Sequence, residues 1–416
     1  DPIEDRAKDW LDYKINYQAT FAAQLMYPMV DTYEVMPWPD RIYQGLYRIA
    51  GTDQKERIPR SYSTQMQTMV NTLNDIRTSD KKITGTHGIG VLMANSLMFQ
   101  RFPNHNGYDD PQFSSFYGQT LPLLKRGIPV ELVHMENTPF KETFKGLHIL
   151  VMSYSNMKPM EPEYHNYLAD WVKKGGVLIY CGEDVDPYQT VLEWWNTEGN
   201  EYKAPSEHLF EQMNLSRNPG EGTYHYGKGT VIVMREDPKH FVLKAGNDQK
   251  YFEAIASAYR KKLGKAIETK NNFIVERGPY TIAAVMDESV SEEPLTLSGL
   301  YIDLFDKDLP VLTSKQIQPG EQGYLYDLNK VSGKVKAKVL CGASRIYDEK
   351  VGKRSYSFVA KSPINTTNVS RVLLPCKPEK VQVNGKEEQP EWDESSKTLL
   401  LSFENDPAGV NVSIVW

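Results

Sequence analysis

The sequence predicts an α/β plus all-β chain: a short helix–strand–helix α/β fragment, a doubly wound parallel sheet of the flavodoxin kind, and then a C-terminal β-sandwich. Three observations predict this. From about Gly85 to Gly264, apolar strands alternate with helices of 3.6-residue periodicity, the rhythm of parallel sheets covered on both faces. Beyond Asn271 the periodicity becomes two and helix signals stop, as in antiparallel sheets. The 416 residues also exceed one ordinary core, so two to three domains of roughly 100 to 200 residues are expected. The expected boundaries are 1–84, 85–268 and 269–416.

Taken in order, Asp5 to about Gln24 reads as a helix with Ala7, Trp10, Leu11 and Ile15 on or near one face, and QLMYPMVDTYEVMPW as a short apolar strand. A loop containing GTDQKERIPRSY leads to Ser63–Ile76, where Met66, Met69, Val70, Leu73 and Ile76 have amphipathic helical spacing. In the middle block, GIGVLMAN, IPVELVHME, LHILVMSYS and GVLIYCGED are strands, and FSSFYGQTLPLLKRG is a helix stopped by Gly127. EPEYHNYLADWVKKGG is a helix whose apolar residues Tyr164, Tyr167, Leu168, Trp171 and Val172 share a face. YHYGKGTVIVM reads as a hairpin and YFEAIASAYRKKLG as a closing helix. The last block holds the strands FIVERGPYTIAAVM, LTLSGLYIDLF, KAKVLCGASRIY, SYSFVAK, SRVLLP, EKVQVNG, KTLLLSF and VNVSIVW, with NG, PG and DPAG turns.

Composition excludes some function classes. The 48 basic and 54 acidic residues give a formal charge of −6 without a Lys/Arg stripe, so a nucleic-acid partner is not expected. No apolar run approaches the ~20 residues of a spanning helix, so membrane insertion is not expected. Aromatic residues reach 11%, with 25 Tyr and 7 Trp. Such rings suit both the C–H faces of sugars and a rich core. Cys181, Cys341 and Cys376 fit neither a zinc site nor a disulfide framework; reduced core cysteines are expected, with a Cys341–Cys376 bridge as the alternative. The eight His residues show no HxH or HxxxH spacing, and GxGxxG, P-loop and GxSxG motifs are lacking. No metal and no cofactor are therefore expected. The start DPIEDRAKDW has neither initiator Met nor signal peptide, which reads as a mature or trimmed segment.

The densest chemistry lies in TYEVMPWPDRIY, residues 32–43, where carboxylates, an arginine and aromatic rings follow the first predicted strand. Taken with GVLMANSLMFQR, FYGQTLPLLKRGIPVELVHMEN, LHILVMSYSNMKPMEPEYHNYLADWVKKGGVLIYCGED and HYGKGTVIV, the chain resembles the C-terminal part of β-galactosidases of glycoside hydrolase family forty-two. The middle block is similar to their glutamine-amidotransferase-like trimerisation domain, which lies between a catalytic barrel and a β domain. The resemblance implies that residues 1–84 end a (β/α)₈ barrel, with residues 32–43 at a strand end facing substrate. It implies a glycoside hydrolase of bacterial carbohydrate metabolism, secreted or periplasmic, acting on oligo- or polysaccharide, with most of the catalytic barrel upstream.

On that reading Glu34 is the candidate catalytic carboxylate, and Tyr33, Trp38, Asp40 and Arg41 are candidate substrate-binding residues. Glycosidases use two carboxylates, and relatives carry the nucleophile on the preceding barrel strand. Glu34 as a supporting carboxylate bonded to Arg41 or Tyr43 therefore stays open. The partners implied are carbohydrate and a homo-oligomer or a missing N-terminal barrel segment. A lone strand cannot close a barrel, so either upstream sequence completes it or residues 1–80 pack on the other domains.

The first alternative is a non-catalytic carbohydrate-binding or oligomerisation module, with Tyr33, Trp38 and the Trp194/Trp195 pair as contact surface. The second is a Cys-dependent amidase using Cys181, from which LIYCGED departs by placing Tyr180 and Glu183 where an elbow needs small residues. The acidic runs GEDVDPY, Glu183–Asp186, and GLYIDLFDKDLP, with Asp303, Asp306 and Asp308, read as a solvated loop and a strand end with its turn.

Overall fold

A computed structural model describes residues 9–34, 43, 45–49, 51–99, 113–331, 333 and 336–416. They form two compact units. One comprises Asp1–Ile83, Asn272–Asp287 and Glu292–Trp416; the other comprises Thr84–Asn271 with Glu288–Ser291.

The first unit opens with helix α1 (Trp10–Leu25), started by a capping box. The Asp9 carboxylate accepts from the Leu11 amide at 2.8 Å, while the Asp9 amide donates to Asp12 at 3.1 Å, so two amides of the first turn are satisfied locally. The strand expected at residues 24–38 is not formed through residue 34: the helix runs on to Leu25, turns follow, and residues 30–34 join no ladder. Pro28 sits in those turns without an N–H to donate. A small antiparallel hairpin, β1 (Leu46–Arg48) with β2 (Lys55–Arg57), occupies part of the expected loop. Helix α2 (Arg60–Thr72) follows Pro59 and buries Tyr62, Met66 and Met69 at i, i+4 and i+7, slightly ahead of the expected Ser63–Ile76.

The second unit is built on a six-stranded sheet, β3 (Ile89–Met93), β4 (Glu131–His134), β5 (Ile149–Met152), β6 (Val177–Cys181), β7 (Gly222–Tyr226) and β8 (Gly229–Met234), in the order β4-β3-β5-β6-β8-β7. All neighbours are parallel except β7, which forms a hairpin with β8. Strands β5 and β6 are buried along their length, as covered parallel strands must be. Helices α3 (Ser114–Leu124), α4 (Glu163–Lys173), α5 (Pro205–Gln212) and α6 (Gln249–Leu263) accompany the sheet. Two apolar clusters share it: Leu150, Met152 and Tyr180 pack with Leu168 and Phe210, while Ile149, Val151 and Ile179 pack with Leu123, Tyr251 and Ile255. Side chains that alternate along each strand thus supply both layers. Helix α6 stops at Gly264, whose φ of 70° is the left-handed conformation of a C-terminal cap.

The first unit resumes with β9 (Asn272–Arg277), β10 (Tyr280–Val285), β11 (Leu295–Asp303), β12 (Val311–Ile317) and β13 (Gln322–Asp327), an antiparallel sheet of order β12-β11-β13-β10-β9. α1, α2 and the turn after α2 lie on it, packing Phe21, Leu25, Met69 and Ile76 against Tyr280, Ile282 and Tyr324. Phe21 meets the Tyr324 ring edge-on at 5.4 Å between centroids. Two sheets follow. One has β14 (Lys338–Gly342), β17 (Thr367–Leu373), β20 (Glu391–Asp393) and β21 (Thr398–Glu404). The other has β15 (Arg345–Val351), β16 (Ser355–Lys361), β18 (Lys380–Val383), β19 (Lys386–Glu388) and β22 (Val410–Val415). Val339, Val372 and Leu399 of one sheet share a core with Tyr356, Phe358 and Ile414 of the other, a two-layer β arrangement. The single sandwich expected over 269–416 is thus a helix-covered sheet followed by a smaller sandwich, because the tyrosine-rich face of β10 and β13 is covered by α1 and α2.

Candidate functional site

Doubly wound sheets bind ligands where the strand order reverses, outside the carboxyl ends of the strands. In the second unit the reversal lies between β3 and β5, and the loops leaving β3, β5, β6 and β8 carry a dense set of buried polar groups. The loop after β5 supplies Lys158, 2% exposed, whose ammonium donates to the Tyr154 carbonyl at 2.6 Å and to both Asp186 oxygens at 3.0 and 2.9 Å. Asp186 comes from the loop after β6 and also accepts from the Tyr188 amide and the Gln189 side chain. Burial pulls the Lys158 pKa below its ordinary value, and the adjacent Asp186 carboxylate opposes that fall.

A second knot forms around Asp184. One of its oxygens accepts from the Tyr180 hydroxyl, and the other from Ser206 and Arg235, each at 2.8 Å. Arg235 follows β8 and also donates to the Gly182 and Pro219 carbonyls. Asp184 at φ 60° and Asn156 at φ 55° both occupy left-handed backbone in these loops. That conformation is costly for a side-chain-bearing residue unless its surroundings hold it. The ion pair and the Arg235 fork supply that hold.

The third feature is a chain of aromatic and imidazole groups. The Tyr154 hydroxyl lies 2.5 Å from His165 Nε2, His165 Nδ1 lies 2.8 Å from His208 Nδ1, and His208 Nε2 lies 3.0 Å from the Gln212 amide nitrogen. If the Gln212 amide donates, His208 carries its proton on Nδ1 and donates to His165, which then donates through Nε2 to Tyr154. That assignment uses two neutral imidazoles. Burial pushes both pKa values down, and for His165 the neighbouring His208 adds to the fall.

These networks bind their charged groups to one another, so they stiffen loops rather than present a nucleophile. Cys181 ends β6 fully buried, and burial together with Glu236 and Asp237 pushes its thiol far above the ordinary range. The nucleophilic thiolate of an amidase is therefore disfavoured at this position. Asp184 and Asp186 correct the expectation of a solvated acidic loop: Glu183 and Val185 point outward while the two aspartates turn inward to Arg235 and Lys158. His165 escaped the sequence reading because Tyr164 and Tyr167 looked like the helix face. The buried ridge of α4 is His165, Leu168, Ala169 and Val172, and Tyr167 is exposed. Its spacing of 3, 1 and 3 was the available signal.

The residues expected in a sugar site divide. Glu34 is exposed. Tyr33 is half-buried in a different role: its hydroxyl donates to the Val30 carbonyl at 2.7 Å and accepts from Arg277 at 2.6 Å. Arg277, 2% exposed, also donates to the carbonyls of Leu25, Tyr27, Val30 and Arg77, tying the turn after α1 to β9. Tyr43 hydrogen-bonds Gln67, and burial raises its pKa. Trp38, Asp40 and Arg41 lie outside the described residues. Trp195 is 1% exposed and donates to the Gln189 carbonyl, while Trp194 donates to that of Pro159 and packs on His165 and His208. Of the pair envisaged from sequence as a contact surface, Trp195 is thus withdrawn into the core, and Trp194 is half-buried. Asp303 is buried and accepts from Lys315 at 2.7 Å, closing the strand end it was expected to form. All three cysteines are free, and Cys376 is exposed rather than in a core.

No family model matches the chain, and no curated protein does. Solved structures similar to it include the β-galactosidase from Bacillus circulans sp. alkalophilus, at 11% identity and a TM-score of 0.35, covering 63% of this chain and 43% of that one. The β-galactosidase of the haloarchaeon Halorubrum lacusprofundi gives 13% identity and a TM-score of 0.35 over 62% and 42%. The α-L-fucosidase isoenzyme 2 from Paenibacillus thiaminolyticus gives 9% and 0.28 over 80% and 49%. The matched stretch thus spans about two fifths of the β-galactosidase chains and about half of the fucosidase.

Proposed function

We propose that this chain is the C-terminal portion of a bacterial glycoside hydrolase, with an amidotransferase-like α/β unit and β domains that support a catalytic barrel supplied by other residues. The observation that carries the reading is the strand order β4-β3-β5-β6-β8, which, with only the parallel strands numbered and antiparallel β7 left out, runs 2-1-3-4-5 as flavodoxin-like sheets do, combined with a core-bound Cys181. An amidotransferase-like sheet without a usable thiol fits a supporting domain better than an amidase. The loops at its carboxyl edge are locked by buried ion pairs, as a rigid wall would be. Oligosaccharide as substrate, export to the periplasm or outside the cell, and self-association belong to this proposal.

The test is to express the intact gene product and screen it with aryl glycosides. Turnover by the intact product, with none by the 416-residue chain alone, is the expected outcome. Turnover by these 416 residues alone, abolished in Glu34→Gln, would instead make Glu34 a catalytic carboxylate. If the intact product cleaves no glycoside, the hydrolase reading fails.

A further inference from the structure

The described residues hold one more feature with the chemistry of a binding site. It lies wholly in the first unit. At the end of α2 the chain turns through Asn71–Asp75 and faces β14 and the start of β15 across an open groove of about 420 Å³. Small-ligand sites commonly fall between roughly 300 and 1,000 Å³.

The groove exists because β14 is an edge strand. It is bonded on one side to β17, with a register slip between Val339 and Cys341, and among the described residues no strand covers its other side. Its backbone groups find side chains instead: the Val339 amide donates to the Tyr356 hydroxyl at 3.1 Å, and the Gly342 carbonyl accepts from Asn71 Nδ2 at 3.0 Å. The second bond ties the α2 wall to the strand floor. The wall is fixed from behind by Tyr324, whose hydroxyl donates to Thr72 at 2.9 Å.

The lining supplies donors and acceptors in a planar, short-reach form. Asn71 and Asn74 bring amides, Arg345 a guanidinium, Asp75 and Glu349 carboxylates, and Tyr347 a ring that is 44% exposed. Lys361 stands over that ring at 5.4 Å from its centroid. Lys338 and Arg345 match Asp75 and Glu349 in charge along the lining, and Lys361 over the Tyr347 ring adds one further cation, so phosphate is the competing ligand to be tested against a neutral one. Groups that donate and accept in equal measure beside an exposed aromatic face suit hydroxyls that do both and a ring with C–H faces.

We propose that this groove is a subsite for a neutral saccharide of one to a few residues. The assignment rests on the carbohydrate reading above and adds a location to it, remote in sequence from Glu34.

The experiment is calorimetric titration of the 416-residue chain with β-1,4-linked tetrasaccharides of galactose, glucose, mannose and xylose, with inorganic phosphate as the anionic probe. Tyr347→Ala and Asn74→Ala alter exposed side chains, and their circular dichroism and melting curves should match those of the parent. At least one saccharide should bind, with affinity at least tenfold weaker in Tyr347→Ala and several-fold weaker in Asn74→Ala. A saccharide bound equally by all three proteins overturns the groove and leaves the carbohydrate reading standing. Phosphate binding that is lost in Arg345→Ala, without saccharide binding, overturns the groove's assignment to a neutral ligand. No saccharide binding together with glycoside cleavage by the intact gene product also overturns the groove alone. Without binding or cleavage, both readings fall.

Discussion

Removing one partner of the Lys158–Asp186 pair should destabilise the second unit more than any surface change. The two side chains are 2% and 3% exposed and 2.9 Å apart. Lys158→Met deletes the ammonium but leaves Asp186 with the Tyr188 amide at 3.0 Å and the Gln189 side chain at 2.9 Å. The residual carboxylate is therefore partly satisfied, and the loss should fall near the low end of the range for a broken buried pair, about 3 kcal/mol. Asp186→Ala is worse, because the ammonium keeps only the Tyr154 carbonyl at 2.6 Å among the partners described; about 4 to 5 kcal/mol is expected. The double replacement Lys158→Met with Asp186→Leu should recover most of both losses, to within about 1 to 2 kcal/mol of the parent, since an apolar pair no longer buries a charge. With two compact units the chain need not unfold in one step. The assay is therefore guanidinium titration read by hydrogen exchange on peptides covering β6 and residues 182–190. A loss below about 1 kcal/mol in either single variant would refute a desolvated pair, because that is the range of solvent-exposed bridges. There is also a pH signature. Lys158 has a folded pKa below its ordinary value, so the unfolded chain binds more protons just below pH 10.5 and stability rises with pH in that window. In Asp186→Ala the window should widen downward.

The His165–His208 pair gives an acid-side prediction. Both have folded pKa values below 6.5, so the unfolded state takes up more protons as pH falls through that value. The second unit should lose up to about 1.4 kcal/mol per pH unit per histidine, a slope reduced in His208→Gln and measurable by melting between pH 7 and 5. Arg277→Met removes the donor to four carbonyls and Tyr33; exchange should accelerate at residues 25–34 and 77–79, with a stability loss of about 2 to 4 kcal/mol from the unpaired acceptors. Unchanged protection there would refute its tying role. A thiol reagent should label one cysteine quickly, Cys376, while Cys181 and Cys341 react only on unfolding; Cys341 has its thiol pushed up to about 12 by burial. Rapid labelling of Cys181 would reopen the amidase reading.

The aromatic richness of the chain shows where sequence reasoning stopped. Twenty-five tyrosines suit a sugar surface or a core equally, yet Tyr154, Tyr180, Tyr251, Tyr280, Tyr324 and Tyr356 are all fully buried. Composition carries no information about which side of a strand faces water. The same limit hid the role of Tyr33, whose partner Arg277 lies 244 positions away, and the pairing of His165 with His208 across 43.

Local pattern alone determined a great deal. The alternation of the middle block specified β3, β5, β6, the β7–β8 hairpin and helices α4 and α6, because a buried parallel strand and an amphipathic helix each impose their period on a few consecutive residues. The β period beyond Asn271 specified strands in the same way. What those elements pack against was decided by the tertiary structure. Phe21 and Met69 meet Tyr280 and Tyr324, Asp186 meets Lys158, and an edge strand left open beside Asn71 makes a groove. Burial, charge pairing and the side of an edge strand left uncovered depend on residues brought together from far along the chain, and no period in the sequence records them.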